Sequence, residues 1–421
     1  MQPCRFDYDF GPTKYEVIKE LFLVEPLDGD DDEADSTTAA KSLLKKASGA
    51  SSASVLEKMD AMGVSLHDVE WESLNMTGNL GDRVDQADSE IGNKQTMAWS
   101  LFGGGKKLGG HLTFQDDYLG EQPLVGVRVT GGYSYYWREA HTDKNGKFKL
   151  PEKWTFKIDY EANFDAEDFL LEDGHSWYGE DLEIEHNNYK SDWNEKFTGD
   201  KAKWCVVWTA AYQYWYGDNF GLKRPRQNTA TNWSLDIEVY YKNEKDYKNN
   251  VYSSGSSIGN YDGTLGLEDI CILAYKQNSK TIYSTTIHEV AHSSHYWNTS
   301  KSLMKFFKLP YGFRNTYTRG IENYFTKNRY GSPAHTNFNK DYTGIFDDLM
   351  DNDKNYKAKN GVVASGDAVQ GFKITELEKS VFGSSDLDGM KKYLKKNYPS
   401  GSNGRKYTES ALNNLFNYWT K

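Results

Sequence analysis

The chain has 421 residues, which is enough for roughly two or three domains that each bury a core of their own. It contains 30 Tyr and 12 Trp, a balance that suits β-rich layers and surfaces that bind polymers, because both residues join a flat apolar body to a polar edge. The formal net charge of −11 argues against a nucleic-acid-binding surface, and no apolar run approaches the roughly 20 residues that span a bilayer.

Residues 1–105 are predicted to form an N-terminal region with the chemistry of a linker. An acidic run at 28–35 is followed by Ser- and Ala-rich sequence, in which short helices are predicted at 39–46 and 55–62. The chain has three cysteines and no CxxC pair, which excludes a disulfide scaffold and argues against thiolate metal binding. Cys4 lies where a bacterial lipoprotein would begin, so a lipid anchor and a free thiol are both open interpretations.

A glycine-rich segment at 103–110 is predicted to be a flexible hinge, and residues 106–165 are predicted to form a β-sandwich. Within the sandwich segment, apolar residues alternate with polar or small ones, as they do along a half-buried strand. Strands are therefore predicted at 125–129, 133–137 and 154–160.

A turn is predicted at Asn145-Gly146, because Asn and Gly readily adopt the positive φ angles of a hairpin turn. A calcium site at Asp143 and Asn145 is the alternative, but too few carboxylates follow it. Residues 123–129 and 142–148 together resemble the carboxypeptidase regulatory-like β-sandwich, which often precedes extracellular enzymes and transporters. The resemblance implies an all-β domain in front of a domain of another kind.

The remaining residues, 166–421, are predicted to form a domain of mixed α+β structure whose last third is mainly helical. Strands are predicted at 235–241 and 270–275, where apolar and β-branched residues cluster in short runs. Periodic apolar patterns predict helices at 204–216, 284–297, 317–327, 375–381, 389–396 and 408–419.

The strongest chemical signal is the segment Thr286-Ile-His288-Glu289-Val-Ala-His292. Residues i and i+4 of a helix lie on one face, so the imidazoles of His288 and His292 can close on one tetrahedral metal ion. Glu289 points to the same cavity and can take a proton from a bound water. Thr285 or Thr286 is predicted to begin this helix. Because a pattern this short also arises by chance, a third ligand has to support it.

Glu322 is predicted to be that third ligand. A metzincin pattern would need Gly where His295 stands and His where Asn298 stands, and an aspartate-ligand site would need a carboxylate at the latter position. A gluzincin site takes a Glu from a second helix further along the chain, and the segment 319–325 offers Glu322. Thr326 replaces the Asp that orients a ligand His in the thermolysin-like pattern, so that support must come from elsewhere.

Segments 288–297, 319–325 and 342–349, preceded by the sandwich, resemble a group of bacterial secreted gluzincin-type zinc metallopeptidases. The resemblance covers most of the chain beyond residue 106. It implies a zincin-like catalytic domain with Zn²⁺ as cofactor and a protein or peptide as substrate. It also implies that strand 270–275 is the sheet edge above the metal, along which a substrate would add as a further strand.

Four more side chains are candidates for the site. His295 follows on the same helix face, but three ligands on one unbroken helix would span roughly 10 Å by rise alone, too far for one ion. We therefore predict that His295 lines the pocket or supports the ligands from behind. During hydrolysis, negative charge develops on the oxygen of the attacked carbonyl group. This oxyanion needs a hydrogen-bond donor besides the metal, and the candidates are Tyr330, His335 and Tyr342.

Two alternatives to a peptidase stay open. A surface component that binds glycans or proteins, with a zincin fold and a non-catalytic zinc ion, would explain the abundance of Tyr and Trp. The intact Glu289 argues against it, since a structural zinc ion needs no base. A hydrolase acting on another amide, such as peptidoglycan cross-links, fits the motif as well. The sequence thus predicts a secreted or cell-surface zinc peptidase without a nucleic-acid partner.

Overall fold

Strands dominate the described chain up to residue 197 and helices dominate it from residue 279, so the protein is of mixed α+β structure, as predicted. The computed structural model describes residues 106–421 apart from 134–135, 155–156, 177–179, 226–233, 251–258, 263–268, 300–305 and 307. The predictions for residues 1–105, including those for Cys4, lie outside the described residues. None of the described helices has both the length and the apolar content needed to cross a membrane.

The first two sheets pack face to face as a β-sandwich. In one, β1 pairs in parallel with β10 and antiparallel with both β2 and β5; these strands are β1 (Lys106–Asp116), β2 (Gly120–Pro123), β5 (Lys147–Trp154) and β10 (Trp193–Phe197). The other is antiparallel in the order β4-β3-β6-β9, with β3 (Arg128–Tyr133), β4 (Tyr136–His141), β6 (Ile158–Asn163) and β9 (Glu183–Tyr189). The buried rings of Phe148 and Tyr160, with centroids 6.0 Å apart, join the two sheets.

The strand pairing extends the sandwich beyond the predicted boundary at residue 165. Strands β9 and β10 pair with β6 and β1, so residues 183–197 complete both sheets. Gly109 and Gly110, predicted to belong to a hinge, lie inside β1, and a Cβ atom at Gly110 would stand 1.9 Å from the carbonyl oxygen of Trp193. The hinge prediction is therefore wrong for the described part of that segment, because these glycines permit a close approach between strands.

The predicted turn at Asn145-Gly146 is present, but it does not form a hairpin within one sheet. Gly146 has a φ of 75°, and the Asp143 carboxylate accepts hydrogen bonds from the backbone N–H groups of Asn145 and Lys147 at 2.8 and 2.9 Å. Strand β4, before the turn, pairs with β3, whereas β5, after it, pairs with β1. The turn therefore carries the chain from one sheet of the sandwich to the other.

A third sheet is built on three parallel strands, β7 (Phe169–Asp173), β11 (Leu235–Tyr240) and β13 (Asp269–Leu273). Antiparallel β12 (Gly259–Asp262) pairs with β13 at one end, and antiparallel β8 (Glu180–Asp181) pairs with β7 at the other. The prediction that 270–275 forms the sheet edge is therefore wrong: β13 pairs on both sides, and β12 is the outermost described strand at that end. The buried apolar run in β13 suits a strand with two neighbours.

Helices make up most of the rest of the chain. Each helix predicted beyond residue 166 has a counterpart, and α2 and α5 come in addition; the described helices are α1 (Gly199–Trp215), α2 (Glu244–Asn250), α3 (Ser279–Thr299), α4 (Tyr311–Tyr330), α5 (Ile345–Met350), α6 (Ile374–Phe382), α7 (Leu387–Asn397) and α8 (Glu409–Thr420). A parallel pair of two-residue strands, β14 (Asn337–Phe338) and β15 (Ala358–Lys359), lies in the connections on either side of α5.

Helix α3 begins at Ser279 because Asn278 caps it, its Oδ1 accepting a hydrogen bond from the backbone N–H of Thr281 at 3.0 Å, and a side chain from the sandwich supplies a further acceptor. Asp117, in the turn after β1, accepts hydrogen bonds from the backbone N–H of Ser279 at 2.7 Å and from its hydroxyl at 3.1 Å. The predicted start at Thr285 or Thr286 is wrong, and the Thr286 hydroxyl instead donates to the carbonyl of Ile282 within the helix. The carboxylate at the first turn also complements the helix dipole.

The neighbouring residue, Asp116, ties the end of α4 to the same turn. Its side chain is fully buried, and its Oδ2 accepts a hydrogen bond from the Tyr330 hydroxyl at 2.8 Å. Its Oδ1 accepts from the backbone N–H groups of Tyr118 and Leu119, which closes the turn itself. One turn of the sandwich therefore holds the first residue of α3 and the last residue of α4.

We expect Asp117→Ala to lower the free energy of unfolding by about 1 kcal/mol, because the backbone N–H of Ser279 then loses its acceptor. Asp117→Asn is the matched control, since its amide oxygen can still accept this hydrogen bond, and it should lose clearly less. Urea denaturation measures both variants. An unchanged unfolding midpoint for Asp117→Ala would contradict a stabilising role for this contact.

Candidate active site

The predicted site residues of α3 and α4 meet between the two helices. His288 and Glu289 on α3 are each 7% exposed, and Glu322 on α4 is 2% exposed. Glu322 is therefore a buried carboxylate and does not belong to the surface of α4. The segment 286–292 is helical throughout, which places His288 and His292 on one face with ring centroids 5.0 Å apart.

Three donors converge on the Glu322 carboxylate. Its Oε2 lies 2.8 Å from Nδ1 of His288 and 2.8 Å from Nη1 of Arg319, and its Oε1 lies 3.0 Å from Nε2 of His335. Burial alone would raise the pKa of Glu322, but the positive charge of Arg319 and the hydrogen bonds from both histidines hold this pKa well below its ordinary value. The buried carboxylate is therefore ionised.

The contacts of His288 define which of its ring nitrogens carries the proton. An ionised carboxylate can only accept, so Nδ1 donates to Glu322 and the neutral ring keeps a lone pair on Nε2. The hydroxyl of Thr318 lies 3.1 Å from this Nε2, and 3.3 Å from the backbone carbonyl of Asn315, its alternative acceptor. Burial lowers the pKa of His288 and of the half-buried His292, so both rings are neutral at neutral pH.

Glu289 differs from Glu322 in having no hydrogen-bond partner among the described residues. Burial, together with the charge of Glu322, raises the pKa of Glu289 to about 8. Strand β12 lies directly against this side chain: a Cβ atom at Gly259 would stand 2.7 Å from Oε1 of Glu289 and 2.5 Å from Cγ2 of Thr285. A carboxyl group with a pKa near neutrality can both accept and release a proton at physiological pH.

The structure brings two of the three predicted oxyanion donors to the site. His335 contacts Glu322 and has a side chain that is 44% exposed. The ring of Tyr342 lies 6.1 Å from the ring of His288, and its hydroxyl lies 2.8 Å from that of Tyr311. The hydroxyl of Tyr330 is instead bound to Asp116 at the far end of α4, where it holds the helix to the sandwich.

His295 lies in an aromatic cluster. Its ring is fully buried, and its neighbours are Phe306, Phe313, Tyr317 and Phe382, with ring centroids 5.0 to 6.1 Å away. Neither ring nitrogen has a hydrogen-bond partner among the described residues, so His295 makes no hydrogen bond to the predicted ligands. Burial lowers the pKa of His295 to about 3, which keeps the ring neutral.

Sequence reasoning missed Arg319, Thr318 and Gly259. Arg319 precedes Glu322 by one helical turn, and this spacing is a signal that could have identified the pair. Gly259 could not be found in this way, because only the pairing of β12 with β13 places it against Glu289.

Replacing His295 by Phe should preserve or raise the free energy of unfolding, by up to about 1–3 kcal/mol, because two unsatisfied polar atoms are removed from an apolar environment. Tyr317→Phe is the matched control from the same cluster. It removes the hydroxyl that donates to Glu378 at 3.1 Å and should be destabilising. Thermal unfolding measures both, and a clear loss of stability in His295→Phe would reveal a polar partner for this ring.

The donor set at the site suits a zinc ion in its chemistry, because two neutral imidazoles and an ionised buried carboxylate are common zinc ligands. Within the described part of the chain, no group of three or more His, Cys, Asp or Glu side chains is already arranged so that it could hold a metal ion. Comparisons with protein-family models, curated proteins and solved structures find no match for this chain.

Proposed function

We propose that this protein is a zinc-dependent peptidase, secreted or held at the cell surface, that hydrolyses peptide bonds with Glu289 as general base. The observation that carries the proposal is the position of Glu289: it is buried without a partner, on the same helix as two neutral imidazoles that face an ionised carboxylate. Glu322 is the predicted third ligand, and its contact with His288 across the helix pair supports its place in the site.

His288, His292 and Glu322 would hold the zinc ion. For His288 and Glu322 to bind the same ion, their direct hydrogen bond at Nδ1 of His288 would have to give way to it. Bound zinc supplies a Lewis acid that polarises a carbonyl group.

Glu289 is suited to move the proton. A carboxyl group that is buried without hydrogen bonds costs free energy, so a purely structural residue at this place would be expected to have a partner. In the proposed reaction, a carboxylate oxygen of Glu289 takes a proton from the attacking water and then gives it to the leaving amine. Of the predicted oxyanion donors, we assign this task to His335 and Tyr342, which lie next to Glu322 and His288.

Strand β12 favours a peptide over other amides as the substrate. It is the outermost described strand at its end of the third sheet, and its first residue, Gly259, lies against Glu289. An extended peptide can add to such a strand through backbone hydrogen bonds, which brings a peptide bond close to the base. Glycine is needed because any side chain at this position would fill the space next to the carboxylate.

Glu289→Gln should retain zinc and lose cleavage by roughly 10²- to 10⁴-fold, because the amide cannot accept the proton. Zinc content is measured by elemental analysis, and cleavage is measured on a random peptide library and on peptidoglycan fragments. Turnover of the fragments alone would replace the peptidase by a hydrolase of another amide. Zinc bound by the wild type without turnover of either substrate would favour the glycan- or protein-binding alternative, and full activity in the variant would remove Glu289 from the mechanism.

Gly259→Ala should lower kcat/KM by at least about tenfold, because the methyl group displaces the base from the position that the reaction requires. Gly174→Ala is the matched control at another crowded glycine, where a Cβ atom would stand 2.7 Å from the ring of Tyr240 and away from Glu289. We expect this control to lose stability while it keeps its activity in the folded state. Equal effects of the two variants on kcat/KM would contradict the placement of β12 against the base.

A further inference from the structure

Arg319 joins two of the predicted site residues, although the proposed reaction gives it no task. Its side chain is only 13% exposed. Its Nη1 donates to Oε2 of Glu322 at 2.8 Å, and its guanidinium carbon lies 4.8 Å from the ring centroid of Tyr342. A planar guanidinium group can make both contacts at once, one through its edge and the other through its face.

On the side of Glu322, Arg319 helps to determine where the carboxylate lies. The oxygen that it contacts, Oε2, is the one that also accepts from Nδ1 of His288. The guanidinium is a planar donor, so its contact also sets the direction in which this carboxylate points. Without it, the buried carboxylate would lose its counter-charge and its fixed orientation towards the histidine.

On the other side, Arg319 contacts Tyr342, which α4 also contacts through the hydroxyl of its first residue, Tyr311. The backbone N–H of Tyr342 donates to Oδ1 of Asn339 at 2.9 Å, so its loop has a defined shape of its own. The guanidinium face lies on the Tyr342 ring, which in turn lies 6.1 Å from the ring of His288. The same side chain therefore links the Tyr342 ring to the helix that carries Glu322, in addition to the hydrogen bond between Thr316 and Thr343.

We propose that Arg319 is the positioning residue of this site: it fixes the Glu322 carboxylate, the proposed third zinc ligand, against His288, and it holds Tyr342 beside the ring of the same histidine. This inference rests on the proposed function, since it assigns Arg319 a task in zinc binding. Side chains that hydrogen-bond a metal-ligating carboxylate typically change metal affinity by roughly 10- to 100-fold when they are removed. Loss of the group that orients the carboxylate should act in the same direction.

The test compares Arg319→Gln and Arg319→Lys with the wild type in the full chain. Zinc affinity is measured by competition with a chromophoric chelator, and the geometry of the site is monitored by the absorption spectrum of the protein loaded with Co²⁺. Arg319→Gln should weaken zinc binding by roughly 10- to 100-fold and shift the cobalt spectrum. Arg319→Lys keeps the charge but lacks the planar fork, so it should give an intermediate loss. At saturating zinc, kcat should fall more than KM rises.

Arg329→Gln is the matched control on the same helix. Its guanidinium also lies over tyrosine rings, at 5.2 Å from Tyr283 and 5.6 Å from Tyr330, but it does not contact Glu322. We expect this variant to lose thermal stability at most, with zinc affinity and the cobalt spectrum unchanged.

Three outcomes would count against the inference. If folded Arg319→Gln binds zinc as tightly as the wild type with the same cobalt spectrum, the positioning role is overturned while the proposed function stands. If Arg319→Gln does not fold, the test rests on Arg319→Lys. A zinc affinity of Arg319→Lys equal to that of the wild type would then overturn the positioning role. If the wild type itself binds no zinc, the proposed function fails and the inference fails with it.

Discussion

The site depends on one buried negative charge. Glu322 is almost completely removed from solvent, and an ionised carboxylate in that environment is stable only when donors replace the water it has lost. Arg319, His288 and His335 supply those donors, and each comes from a different part of the structure around α4. Breaking such an arrangement by removing one partner commonly costs about 3–5 kcal/mol, which is a large fraction of the stability of a domain. The relative placement of α3 and α4 is therefore tied to the ionisation of a single side chain.

The sandwich contributes to this placement from outside the helix pair. Asp117 accepts a hydrogen bond from the first residue of α3, Ser279, and Asp116 binds the hydroxyl of Tyr330 at the end of α4. Asp116 ends β1 and Asp117 begins the turn that follows it. The two helices therefore contact the same short segment of the sandwich as well as each other. This explains why the half-buried Tyr330 is hydrogen-bonded although it takes no part in the site. The all-β part of the protein thus supports the geometry of the helical part through two adjacent side chains.

The sequence predicted those features that are encoded locally. The helix around 284–297 follows from its apolar period and its HExxH pattern, and Glu322 follows from the type of ligand that such a pattern needs. What the sequence could not predict depends on residues that are distant in the chain. Strand β12 carries a short polar sequence that becomes a strand only by pairing with β13, and the contact of Asp117 with the first residue of α3 joins residues that are 162 positions apart. The stack of Arg319 on a tyrosine has the same origin, since only the fold brings the two together.

Helix α3 carries two polar side chains that are buried without a hydrogen-bond partner, and their surroundings separate their roles. His295 is enclosed by aromatic rings, so no partner reaches its nitrogens among the described residues. Glu289 lies against the backbone of an outermost strand, at Gly259, where a partner can arrive from outside the protein. A carboxylate that is left unsatisfied in the free protein costs free energy that substrate and water can recover when they bind. This is the property that a general base requires, and it is why we assign the chemistry to Glu289 and packing to His295.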